Sequence, residues 1–166
     1  MTVTATRTYL EMRNASQLRP SPLPGDAIVV HVDDPAPSFW RYLYSEVGRE
    51  YRWTDRLGWT DEEIAAYLAD PAIDLWILKA GEATAGYFEL RRHPDEAIEI
   101  AYFGLLPDFV GRGLGKGLLS AAVSEAWRAG ASRVWLHTSS LDHHAALPNY
   151  LARGFTIFKR ETYEVT

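Results

Sequence analysis

Four glycines fall at alternate positions within seven residues, Gly111-Arg112-Gly113-Leu114-Gly115-Lys116-Gly117. The run lies between a strand-like stretch ending at Leu106 and a helix-like stretch whose apolar residues Leu114, Leu118, Leu119, Ala122, Val123, Ala126 and Trp127 share one face. A glycine turn feeding a helix start is a place for an anion. The first-turn N–H groups are free, the helix dipole favours negative charge, and no Cβ bars a phosphate oxygen from the backbone. Arg112 and Lys116 add cationic reach. The plainer reading is a turn without a ligand. Spacing removes two sharper motifs: Gly111 stands one residue too late for a Walker A loop ending at Gly115-Lys116, and no third glycine sits where a dinucleotide fingerprint needs it.

The elements around this turn alternate in type. Strands are expected over Thr2 to Met12 and Ala27 to Val32, separated by a loop from Asn14 to Gly25 with three prolines. Helices follow from Ser38 to Val47, with Gly48 as a stop, and from the cap Thr60 to Ala69, where Glu63 completes a capping box. Asp74 to Ala80, Thr84 to Arg91 and Ala97 to Leu106 read as a three-strand meander. After the glycine turn come a helix closed by Gly130, a strand Arg133 to Thr138, a helix Ala145 to Ala152 and a strand Thr156 to Val165. That order predicts one mixed α/β sheet with helices on its faces, in a single domain spanning 1–166.

Charge narrows the ligand classes. A net charge of −5 gives no long-range attraction for nucleic acid or anionic lipid. With no cysteine, disulfides and thiolate chemistry are excluded. His143-His144 is an adjacent pair whose rings would diverge on a helix, which predicts a structural or capping role rather than metal binding. The N-terminal stretch lacks a signal-peptide pattern, so a cytoplasmic protein is expected.

The glycine turn, the strand Glu99 to Leu106 with Pro107 after it, and the set Ala146, Tyr150, Gly154 and Phe155 together resemble the GNAT acetyltransferases. Their pyrophosphate loop reads [Q/R]-x-x-G-x-[G/A], and their second signature is an Ala, a Tyr four residues on, then x-x-x-Gly-Phe. The likeness covers about Asp74 to Phe158. Val110 departs from the usual Gln/Arg, and His143 stands where many members have Asn.

The resemblance implies a GNAT fold, an α/β (α+β) arrangement of six to seven strands splayed at a cofactor cleft, with residues 1–73 on the acceptor side and 74–166 binding acetyl-CoA. It implies an N-acetyltransferase moving acetyl directly to the amine of a small molecule, with no metal, and a homodimer as a common state. Cofactor contacts would come from Leu105, Leu106, Val110, Gly111, Arg112, Gly113, Leu114, Gly115, Lys116, Ala146 and Asn149. Leu105 N–H would polarise the acetyl carbonyl. Tyr150 takes the acid position and Glu99 the base position, the latter read as sharing a face with Ala101 and Phe103. His137 is an alternative base. Trp53, Asp55, Arg56, Tyr102 and His137 are candidate acceptor contacts, Asp55 suited to an amine and Arg56 to a carboxylate. A non-catalytic acyl-CoA sensor is the competing reading.

Overall fold

The glycine turn sits at the middle of a seven-stranded sheet in a computed structural model that describes residues 1–165. The strands are β1 (Val3–Met12), β2 (Ile28–His31), β3 (Ile73–Ala80), β4 (Ala83–Arg92), β5 (Ala97–Leu105), β6 (Arg133–Ser139) and β7 (Thr156–Val165). The helices are α1 (Pro37–Gly48), α2 (Asp61–Ala69), α3 (Leu114–Arg128) and α4 (Ala146–Ala152). Sheet order is β2-β3-β4-β5-β6-β1-β7, antiparallel throughout except for β5 and β6. The expected elements are present. The α-helix ends at Gly48 as expected, and the chain continues in a tighter turn over Arg49–Tyr51.

Each face of the sheet has its own core. Leu118, Leu119, Ala122, Val123 and Ala126 of α3 bury against Leu10, Phe88, Ile98, Ile100 and Val134, and Tyr150 and Phe155 join them from the α4 side. On the other face Trp40, Leu43 and Val47 of α1 and Ile64 of α2 cover Leu75 and Tyr87. Each such side chain contributes about 1.5–3 kcal/mol by leaving water. The α2 start is held by the predicted capping box, Thr60 and Glu63 each bonding the other's backbone N–H.

Two irregularities of β5 interrupt the sheet. Glu89 faces Tyr102 and Leu90 faces Ile100, so Ala101 is an extra residue bulged out of the ladder. The bulge reverses the side-chain alternation. Ile98 and Ile100 share the α3 face with Phe103 and Leu105, while Tyr102 joins the opposite core. Secondly, β5 pairs with β6 only over Ala97, Ile98 and Glu99, opposite Arg133, Val134 and Trp135. Beyond that point β5 stays with β4 and β6 with β1, and the sheet opens into a cleft. Among the described residues no helix is long and apolar enough to cross a membrane.

Candidate active site

The opening between β5 and β6 is a cavity of about 630 Å³. Its β5 wall carries unpaired backbone. Leu106 N–H donates to Ala85 O at 2.8 Å, on the β4 side. Successive residues of an antiparallel strand turn their polar groups to opposite sides, so those of Phe103 and Leu105 face the gap. An added extended chain is what such an edge accepts.

At one end of this wall lies the first turn of α3. Gly111 and Gly113 hold φ of 84° and 76°, a left-handed backbone that glycine adopts without cost. Gly113 is the N-cap and offers no side-chain cap. The N–H groups from Gly111 to Lys116 have no acceptor among the described residues. They lie at the positive end of a 15-residue helix, beside Lys116. Val110, Gly111, Gly113, Leu114, Gly115 and Lys116 all line the cavity, as do Leu105, Ala146 and Asn149.

Two expected cofactor contacts lie elsewhere. Leu106 is buried in the α1-side core, its N–H taken by β4. Arg112 turns outward, its guanidinium 4.9 Å from the Phe109 ring centroid.

Tyr150 lines the cavity from α4 at 7% exposure, its ring edge-on to Phe103 and Phe155. Its hydroxyl has no protein partner among the described residues, and burial, with Asp142 nearby, raises its pKa above the ordinary value. A neutral O–H is therefore maintained across physiological pH. His137 enters from β6 and lies on the cavity wall, exposed to solvent. Desolvation lowers its pKa, against an upward pull from Glu99, and the Arg7 charge lowers it further. The imidazole is thus held neutral, as a proton acceptor must be.

Glu99 does not line the cavity. The bulge at Ala101 breaks the alternation that would have put it beside Phe103 and turns it to the face of Tyr102, where its carboxylate is held by His93 Nε2 at 2.9 Å, the His93 ring packing on Trp135.

The other end of the cavity is closed by the segment after α1. Trp53, Asp55 and Tyr102 line it. The Trp53 indole N–H donates to Asp142 Oδ1 at 3.4 Å, and Asp142 Oδ2 accepts from Thr138 and Ser139. This ties the segment to the β6–α4 loop across the cleft mouth. Arg56 is not an acceptor contact. Its Nη1 bonds both oxygens of the fully buried Glu89 at 3.1 Å, its Nη2 bonds Tyr67 Oη, and the rings of Trp40, Trp59, Tyr67 and Tyr102 surround it. Burial, the largest single influence, depresses the guanidinium, but Glu89, Tyr67 and Tyr102 together outweigh it and the pKa ends raised.

Sequence reasoning missed Arg7, Asp142 and Arg153 on the cavity wall. Arg153 falls inside the Tyr150 to Phe155 signature, so its position at least was visible. His143 turns back on its own loop, Nδ1 accepting from Ala145 N–H, and α4 begins without a side-chain cap. The rings of the histidine pair do not diverge: the pair precedes α4 instead of lying within it, and the two imidazoles stack with centroids 4.2 Å apart. Among the described residues no group of three or more His, Cys, Asp or Glu converges as a metal site.

A family model described as Acetyltransferase (GNAT) family matches residues 40–155. A mycothiol acetyltransferase of Corynebacterium efficiens is 32% identical over 87 residues, 52% of this chain and 29% of its own length. A GCN5-related N-acetyltransferase from Sphaerobacter thermophilus superposes with a TM-score of 0.71 at 14% identity, over 98% of this chain and 51% of the other. One from Kribbella flavida gives 0.69 at 17% identity, over 98% and 58%. An IAA acetyltransferase from Bacillus cereus gives 0.61 at 22% identity, over 81% and 79%. The chain thus spans under a third of the mycothiol enzyme and little more than half of the first two structures. These structures share its fold, and the match over residues 40–155, which takes in the cleft, the glycine turn and Tyr150, makes the chain a member of the GNAT acetyltransferase family.

Proposed function

We propose that the chain transfers an acetyl group from acetyl-CoA directly to the amine of a small molecule. The observation that carries this reading is the set of open polar groups along one cleft: the N–H groups at the α3 start, the gap-facing edge of Phe103 and Leu105, and the unpartnered Tyr150 hydroxyl. The residues fit an extended phosphorylated thioester. Gly111 to Lys116 would hold its pyrophosphate, and the β5 edge would pair with its amide-bearing arm. Acetyl-CoA supplies the activated acyl group. The mycothiol acetyltransferase and IAA acetyltransferase names both speak of acetyl, which supports that choice of acyl group.

The remaining chemistry falls to side chains at the cleft. His137, neutral because it is desolvated, removes a proton from the attacking amine. Leu105 N–H stabilises the charge that develops on the carbonyl oxygen. Tyr150 gives its proton to the departing sulfur. Trp53 and Tyr102 form an aromatic wall for the acceptor, and Asp55 favours its ammonium form on arrival.

The test is to incubate the chain with acetyl-CoA and a panel of amines and to follow release of free thiol. Amine-dependent release supports transfer. Binding of acetyl-CoA with no release from any amine would turn the reading to a sensor.

A further inference from the structure

Three polar side-chain atoms on α4 and its C-terminus are buried without a hydrogen-bond partner: Asn149 Oδ1, Arg153 Nε and Arg153 Nη1. Both residues line the cleft cavity. Leaving charged N–H groups buried and unpaired is among the costlier things a fold can do. Eight other arginines find a carboxylate, and Arg153 has none among the described residues.

Its position is not an accident of a loose segment. Arg153 N–H bonds Asn149 O at 3.0 Å, and Arg153 O accepts from Arg19 N–H at 2.8 Å. The next residue, Gly154, has φ 109° and lies so close to Gln17 that a Cβ would stand 2.0 Å from its carbonyl oxygen. The strap before β2 thus clamps the backbone on both sides of the guanidinium stem. It reaches α3 as well, through Ser21 N–H on Ser120 Oγ at 2.8 Å. Asn149 is fixed in turn, its Nδ2 donating to Gly115 O at 3.2 Å, inside the glycine turn. The orphan groups therefore flank the anion-binding end of the cleft.

We infer that Arg153, with Asn149 beside it, is a second phosphate-recognition arm for the nucleotide end of the cosubstrate. A guanidinium presents paired donors that match two phosphate oxygens, and Asn149 Oδ1 is an acceptor for a neighbouring N–H or hydroxyl of the same ligand. The inference rests on the coenzyme A reading of the cleft and adds a side-chain contact to its backbone cradle. Either the pyrophosphate or the 3′-phosphate has the required chemistry.

Calorimetric titration of the full chain with coenzyme A and with 3′-dephospho-coenzyme A separates the two. Arg153→Gln should weaken coenzyme A binding about 10- to 100-fold, the range for a hydrogen bond to a charged group. Loss with coenzyme A alone assigns the 3′-phosphate. Loss with both, partly restored by Arg153→Lys, which keeps the charge without the paired donors, assigns the pyrophosphate. Unchanged affinity, or a loss with both that Lys does not restore, overturns the inference. If the unmodified chain binds neither ligand, the coenzyme A reading falls and this one with it. Thermal unfolding of each variant identifies a folding failure, and Arg153→Lys, which keeps the charge, then carries the test.

Discussion

Arg56 Nη1 lies 3.1 Å from both carboxylate oxygens of Glu89, in a pocket where Glu89 has no solvent exposure. Trp40 Nε1 and Tyr67 Oη donate to the same carboxylate, at 3.0 and 2.5 Å. The pair fastens the segment after α1 to β4. Removing one partner strands the other charge, so Glu89→Ala should lower unfolding free energy by about 3–5 kcal/mol. Urea denaturation measures this. A loss below about 1 kcal/mol, the range of exposed pairs, would mean that the carboxylate is reached by water.

Tyr150→Phe removes one oxygen and leaves the ring packed on Phe103 and Phe155. If the hydroxyl protonates the leaving sulfur, kcat falls about 100-fold or more while coenzyme A affinity holds. Equal turnover by the variant would remove Tyr150 from the chemistry.

The lowered His137 pKa has a definite sign. Because protonation is disfavoured, kcat/KM should climb with pH through a midpoint below the ordinary 6.5 of histidine and then level off, unless deprotonation of the acceptor amine sets a later rise. NMR titration of the ring reads the same group directly. Glu99 pulls that pKa upward, so Glu99→Gln should lower it further, while neutralising Arg7 should raise it. A ring that titrates above 6.5 contradicts the assignment of a neutral base.

Gly113 and Gly154 both hold positive φ but should fail differently. A Cβ at Gly113 meets nothing within 4 Å, so Gly113→Ala costs only the left-handed backbone, about 1–2 kcal/mol. Its larger effect should be on coenzyme A affinity, since the methyl group stands where phosphate oxygens approach. Gly154→Ala adds an overlap with Gln17 O and should cost at least about 3 kcal/mol. Thermal melts with and without coenzyme A separate the two outcomes.

What the sequence made legible was local. The stripe of α3, the Thr60–Glu63 box and the glycines before Leu114 each declare themselves within one or two turns of chain. The bulge at Ala101 does not, because an extra residue is defined only by the partner strand, and it put Glu99 on the face opposite Phe103, where His93 holds its carboxylate. Arg56 misled for a related reason. Its carboxylate partner is 33 positions away, and nothing in the local pattern Trp53-Thr54-Asp55-Arg56 distinguishes an arginine facing a ligand from one buried against Glu89. The GNAT signatures describe short runs of backbone, which is why the family and the glycine-lined end of the cleft were readable. The opposite end, at Trp53 and Asp142, depends on long-range pairs that no short run encodes.

The short ladder between β5 and β6 gives the molecule a joint. Only three residue pairs, from Ala97–Arg133 to Glu99–Trp135, stitch the half-sheet β2-β3-β4-β5 to the half-sheet β6-β1-β7. Beyond them the halves are spanned by α3, α4 and the Trp53–Asp142 contact. The width of the gap is therefore set by the helices that cross it and not by the sheet, and a ligand chain laid along β5 would act as a keystone between the two halves.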